Sequence, residues 1–207
     1  MTRTIVVTGT DTDVGKTVFA AALTAAVGAR YWKPIQSGLD GGSDAERVAA
    51  LGVPADHILT EAYRLTTPCS PHLAAEIDGV EIDPDRLTPP ATPGMLVVEG
   101  AGGALVPVTR GLLYADLFAR WGHPVVIVAR TALGTINHSL LTIEALRARG
   151  VPILGIAFNG EANEDSEATI AGIGRVKRLG RLPRLVRLAP EALRAVLLDG
   201  FRLEDFR

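Results

Sequence analysis

"RTIVVTGTDTDVGKT", residues 3 to 17, is the stretch on which the fold turns. An apolar β-branched run ends at Gly9, and Gly15 stands directly before Lys16 and Thr17, where a helical pattern begins. Strand, glycine-bounded turn and helix in that order predict a phosphate-binding P-loop. The backbone amides of Thr12, Asp13, Val14 and Gly15 and the helix N-terminus cradle phosphates, Lys16 reaches the outer ones, and the Thr17 hydroxyl suits magnesium. The spacing is G-x5-G-K-T, one residue longer than the usual G-x4-G-K-T, and the turn carries two carboxylates, Asp11 and Asp13. A carboxylate is tolerable beside a polyanion if it faces ammonium groups or magnesium, or if it closes turn hydrogen bonds.

Outward from the loop, apolar runs of strand length recur at 3–9, 30–35, 94–100, 124–130, 152–160 and 178–183. Helical spacing fills 16–28, 43–51, 114–121, 135–149, 163–173 and 190–199. Continuous Val/Ile/Leu runs alternating with helices predict an α/β fold, a single-domain P-loop NTPase-like parallel sheet with helices on both faces. Ligands of such folds collect at the carboxyl ends of the strands. The whole chain, 1–207, reads as one domain, with 52–93 an irregular excursion carrying short helices.

Composition removes several functions. The net charge is -2 and the basic residues are scattered, so nucleic acid is not an expected partner. Ala-rich "VFAAALTAAVGA" is too short, and too closely flanked by Lys16 and Arg30, to span a membrane. With no leader pattern at the N-terminus, the expected location is the cytoplasm. Cys69, the one cysteine, permits no intrachain disulfide and reads as a small packed residue. His57, His72, His123 and His138 show no metal-ligand spacing.

Arg supplies most of the positive charge; the only lysines are Lys16, Lys33 and Lys177. Two of the three therefore stand where strands meet loops at the presumed ligand edge, where a compact ammonium rather than a planar fork is wanted. Lys33, in "KPIQSG" (33–38), is placed to stabilise charge developing on transferred oxygens. Glu99 ends the run in "VEGAGG" (98–103), on the strand expected beside the P-loop strand, where a carboxylate suits a hard cation. Asp44, in "SDAERV" (43–48), reads equally as a helix cap and as a second oxygen ligand. The Asn159 amide, in "FNGE", can read a purine edge or simply form an Asn-Gly turn.

"GTDTDVGKT", "KPIQSG", "SDAERV", "SPH" (70–72), "VEGAGG" and "LGTINH" (133–138), in this order, resemble the dethiobiotin synthetase family. The resemblance runs from the first strand to about residue 160. It implies an ATP- and magnesium-dependent ligase of biotin synthesis that closes a ureido ring from 7,8-diaminopelargonic acid and carbon dioxide, as a homodimer with substrate near the subunit interface. It further implies Lys33 and Lys16 as catalytic cations, and Thr17, Asp44 and Glu99 as magnesium ligands. Gly100, Ala101 and Gly102 would line the ATP site, with Asn159, Pro183 and Leu185 beside the nucleotide. Asp13 and Ser37 would meet the diamine, while Gly134, Thr135 and Asn137 of the neighbouring subunit would receive its carboxylate.

A partition or cell-division type switch ATPase shares the strand, loop and helix framework. Such proteins usually carry a second lysine early in the loop, where this chain has Thr10-Asp11-Thr12.

Overall fold

Successive side chains of a strand point to opposite faces of its sheet. In the first strand, β1 (Thr4–Gly9), both sets are buried: Ile5 and Val7 join one hydrophobic cluster and Val6 joins the other. A strand apolar on both faces needs cover on both, and the computed structural model, which describes residues 3–207, supplies it. The further strands are β2 (Arg30–Trp32), β3 (Ile35–Ser37), β4 (Tyr63–Leu65), β5 (Leu96–Gly103), β6 (Pro107–Thr109), β7 (Leu112–Leu113), β8 (Val125–Arg130), β9 (Ile153–Asn159) and β10 (Arg178–Leu182). The helices are α1 (Lys16–Val27), α2 (Asp44–Ala50), α3 (Pro71–Asp78), α4 (Tyr114–Trp121), α5 (Thr135–Arg147), α6 (Glu164–Gly174) and α7 (Pro190–Gly200).

Six strands form one parallel sheet in the order β10-β9-β8-β1-β5-β2. The six apolar runs read from sequence are these six strands. One face is covered by Phe19, Leu23, Val48, Leu193 and Leu197 from α1, α2 and α7, and the other by Ala74, Phe118, Ile143 and Ile170 from α3 to α6. This is the expected doubly covered α/β sheet. The excursion 52–93 carries α3, two 3-10 turns and β4, which pairs with β3 at the rim. No described helix is long and apolar enough to cross a membrane.

The sheet positions the site through register. Val7 of β1 lies opposite Glu99 of β5, and Gly9 lies opposite Gly103, so β5 contains two more residues than β1 between these pairings. The strand that carries Glu99 therefore runs on past the expected end at Gly100, alongside the start of the P-loop. The β2 strand stops at Trp32, short of the expected residue 35, which puts Lys33 in the break before β3 rather than inside a strand.

Two helix starts do opposite things. The residue before α1 is Gly15, which has no side chain to cap the helix, so the first amides of α1 remain available to an anion. At α2, Ser43 accepts from the Glu46 amide at 3.2 Å and Glu46 accepts from the Ser43 amide at 2.8 Å, a complete capping box. Ser43 is thus the cap, and Asp44, at the first helical position, is released for other work. Ser43→Ala is expected to destabilise the fold by about 1 kcal/mol, read from urea unfolding as a lowered midpoint at unchanged slope.

Candidate functional site

Above the carboxyl ends of β1 and β5 lies a cavity of about 910 Å³. It gathers Thr12, Asp13, Gly15, Lys16 and Thr17 from the loop and α1, Lys33 and Ser37 from the second strand region, Asp44 from α2, and Glu99, Ala101 and Gly102 from β5. Residues separated by more than 80 positions thus meet where the sequence placed a ligand.

The loop is held by close approach. A Cβ on Gly9 would sit 2.7 Å from the Asp11 carbonyl oxygen and 3.0 Å from Lys16 Nζ. Gly15 adopts φ +89°, and a Cβ there would sit 2.1 Å from Asn159 Nδ2. Asn159, at the end of β9, donates that amide nitrogen to the carbonyls of Val14 (2.8 Å) and Gly15 (3.1 Å), so it braces the loop. Asp11 is turned to the side: its Oδ1 accepts from the Thr12 amide at 2.7 Å and its Oδ2 lies 3.4 Å from Arg130. The first carboxylate of the loop therefore sits beside a cation and closes a local turn. Asp13 has φ 55°, is exposed and faces the cavity.

The centre of the site is a buried charge cluster. The Lys33 ammonium is paired with Asp44 and lies 3.4 Å from Glu99 Oε1. Glu99 is fully buried; its Oε1 accepts from the Thr17 hydroxyl at 2.7 Å and its Oε2 from the Tyr31 hydroxyl at 2.8 Å. Burial alone would lower the Lys33 pKa, but Glu99 and Asp44 outweigh it, so the ammonium is held above its usual value. For Asp44, burial pushes upward and Lys33 outweighs it, leaving the carboxyl below the usual range. Lys16, whose Nζ donates to the Asp11 carbonyl at 2.9 Å, is pulled below its usual value by burial, with Glu99 opposing. Burial, reinforced by Glu99, pushes the Tyr31 phenol well up, so it stays a donor.

One hydroxyl and two carboxylates, all hard oxygens around a phosphate cradle, fit magnesium, which takes one or two protein carboxylates and keeps several waters. Among the described residues no group of three or more His, Cys, Asp or Glu offers an alternative metal site.

Other expected residues lie outside the cavity wall. Val14 is buried beneath the loop, and Gly100 packs inward, where a Cβ would lie 3.1 Å from Phe118. Pro183 is exposed and Leu185 packs on the α1 side of the sheet. Gly134 and Asn137 are exposed at the start of α5, and buried Thr135 donates to the Arg130 carbonyl. The sequence reading missed Tyr31 and Gln36. Gln36 accepts from the Asp44 amide at 3.0 Å and donates to the Gly38 carbonyl at 2.9 Å, tying the "KPIQSG" turn to α2. It also missed Arg47 and Cys69 as lining residues; Cys69 is half-buried, packed against the hydrophobic cluster on the α3 side as expected while also lining the cavity.

The fold and the loop together define a P-loop nucleotide-binding protein. The model of an AAA domain family matches residues 3–192. Solved structures with the same fold include the MinC:MinD cell division complex of Aquifex aeolicus (TM-score 0.57, 15% identity, 95% of this chain and 88% of that one). A ParA family ATPase from Chlorobium tepidum is similar too (TM-score 0.54, 14% identity, 97% and 91%). Sequence relatives are much nearer. The ATP-dependent dethiobiotin synthetase BioD of Novosphingobium aromaticivorans is 67% identical over 97% of this chain and 98% of its own length. That of Sphingopyxis alaskensis is 63% identical over the full length of both. The chain belongs to the ATP-dependent dethiobiotin synthetase family.

Proposed function

We propose that the protein is a magnesium-dependent dethiobiotin synthetase that forms dethiobiotin from 7,8-diaminopelargonic acid, carbon dioxide and ATP. The observation that carries this reading is the Lys33 ammonium between Asp44 and Glu99, in one cavity with Lys16 and Ser37. A nucleotide switch needs only the loop; a second buried ammonium beside a roomy cavity suits a carboxyl-activating ligase. The partition-type reading is not favoured, because relatives 58% identical and above over the full chain are synthetases.

In this reading one amine of the diamine adds to carbon dioxide and loses a proton, giving a carbamate. A carbamate oxygen then attacks the γ-phosphorus in line, and the bond from that phosphorus to ADP breaks. The second amine attacks the carbamoyl carbon, the bond from carbon to the phosphate oxygen breaks, and a proton is released as the ring closes. The products are dethiobiotin, ADP and phosphate.

Lys16 and the loop amides hold the ATP phosphates, and Lys33 meets the negative charge on the transferred phosphoryl group and on the carbamate. Thr17, Asp44 and Glu99 would hold magnesium, which when bound neutralises phosphate charge. Asp13 and Ser37 face the diamine. A neutral amine beside an activated carbamoyl group is already a good nucleophile, so positioning replaces a strong general base. The nucleotide base lies toward Asn159, Pro183 and Leu185. The segment of exposed Gly134 and Asn137 and buried Thr135 belongs, in this reading, to the site of the second subunit of a cytoplasmic homodimer.

Phosphate release from magnesium-ATP with bicarbonate, measured with and without 7,8-diaminopelargonic acid, tests the assignment. Release is expected to require the diamine. Slow release indifferent to it would return the protein to the switch ATPases.

A further inference from the structure

Glu99 is fully buried, and its two oxygens are treated differently. Oε1 faces the loop, accepting from Thr17 at 2.7 Å and lying 3.4 Å from Lys33. Oε2 is engaged by a neighbouring strand, from a residue that does not line the cavity. A buried carboxylate oxygen with no donor is costly, and water does not reach this one. The donor that meets it is Tyr31, itself fully buried on the neighbouring strand β2, with its hydroxyl 2.8 Å away.

The sheet explains why position 31 can do this. Tyr31 pairs with Val97 in the parallel register of β2 and β5, and Glu99 follows two residues later on the same face. The tyrosine ring spans that step along the strand. Phenylalanine would supply nearly the same apolar volume; the hydroxyl is the part that packing does not require.

We infer that Tyr31 is a positioning residue whose hydroxyl holds Glu99 Oε2, so that Oε1 alone is presented to Thr17 and to the cation bound with the nucleotide. This rests on the reading of Glu99 as a magnesium ligand. Tyr31 does not line the cavity. It acts through Glu99, by fixing the rotation of the carboxylate that would otherwise swing between two presentations.

The test compares Tyr31→Phe with the unsubstituted protein by calorimetric titration of ADP, once in magnesium chloride and once in EDTA. The expected result is binding about tenfold weaker in magnesium and unchanged in EDTA. In the phosphate-release assay the half-saturating magnesium concentration rises by about the same factor, while turnover at saturating magnesium stays within about twofold. A role in packing alone would weaken ADP equally in both buffers, or lower the melting temperature without altering the magnesium dependence; either result overturns the inference. Glu99→Gln serves as the reference. If magnesium tightens ADP binding by the same factor in that variant as in the unsubstituted protein, Glu99 is no ligand and the inference falls with that assignment. Failure of the ligase reading shows separately, as phosphate release indifferent to the diamine, and leaves the ADP titrations decisive for Tyr31.

Discussion

Lys33→Gln is expected to lower diamine-dependent phosphate release by about 10²–10³-fold, the effect of losing one preorganised donor from charge developing in a transition state. The change removes the ammonium that Asp44 and Glu99 share, leaving the fully buried Glu99 without an ion-pair partner and Asp44 with only the Arg47 guanidinium at 3.8 Å. Such a broken pair costs about 3 kcal/mol of stability or more, so turnover is to be measured well below the variant's melting temperature. The same electrostatics supply an internal control. With its ammonium gone, the carboxylate pair gains more from an added cation, and magnesium is expected to raise the melting temperature of the variant by more than that of the unsubstituted protein. Full turnover in Lys33→Gln would remove Lys33 from the chemistry. Equal responses to magnesium would mean that the ammonium and the metal do not share these carboxylates.

How far the site could be read in advance depended on where each partner lies in the chain. Five of the six sheet strands were legible because each is a run buried on both faces, a pattern that survives without knowledge of its neighbours; in β10 only Leu179 and Leu182 are buried. The short pairs β3–β4 and β6–β7 were not, since two or three residues carry no period. Lys16 was legible because it follows a glycine-bounded turn and opens a helix, and Lys33 and Glu99 because each is a charged residue at the end of an apolar run. Asp44 was ambiguous because Ser43 and Asp44 are both good caps. Gln36 and the capping box of Ser43 and Glu46 resolve it, and two of those three contacts fall within α2's first turn. Tyr31 looked like ordinary core. Its hydroxyl acquires meaning only when β2 lies beside β5, a pairing across 68 residues. Asn159 gives the converse lesson: a motif suited to a purine edge is also, at 2.8 Å from the Val14 carbonyl, part of the loop's support.

That support makes the second large effect, Gly15→Ala, open to a matched comparison. Gly15 (φ +89°) and Gly28 (φ +64°) flank α1, and both are left-handed, a conformation that costs an L-residue about 1–2 kcal/mol. They differ in what a Cβ would meet. At Gly28 nothing lies within 4 Å, whereas at Gly15 the Cβ would fall 2.1 Å from Asn159 Nδ2. Asn159 must then withdraw from both loop carbonyls, at about 1 kcal/mol for each hydrogen bond. Gly28→Ala is therefore expected to lower the melting temperature by roughly 2–8 °C and Gly15→Ala by roughly 6–16 °C, given 2–4 °C per kcal/mol in a chain of this size. ADP binding separates them further. It is expected to survive in Gly28→Ala and to weaken by about a hundredfold or more in Gly15→Ala, because the amides that cradle phosphate come from the displaced turn. Equal melting losses, or tight ADP binding by Gly15→Ala, would show that the loop keeps its shape without Asn159. The glycine would then matter only for its own backbone angle, and the brace from β9 would have no part in holding the nucleotide.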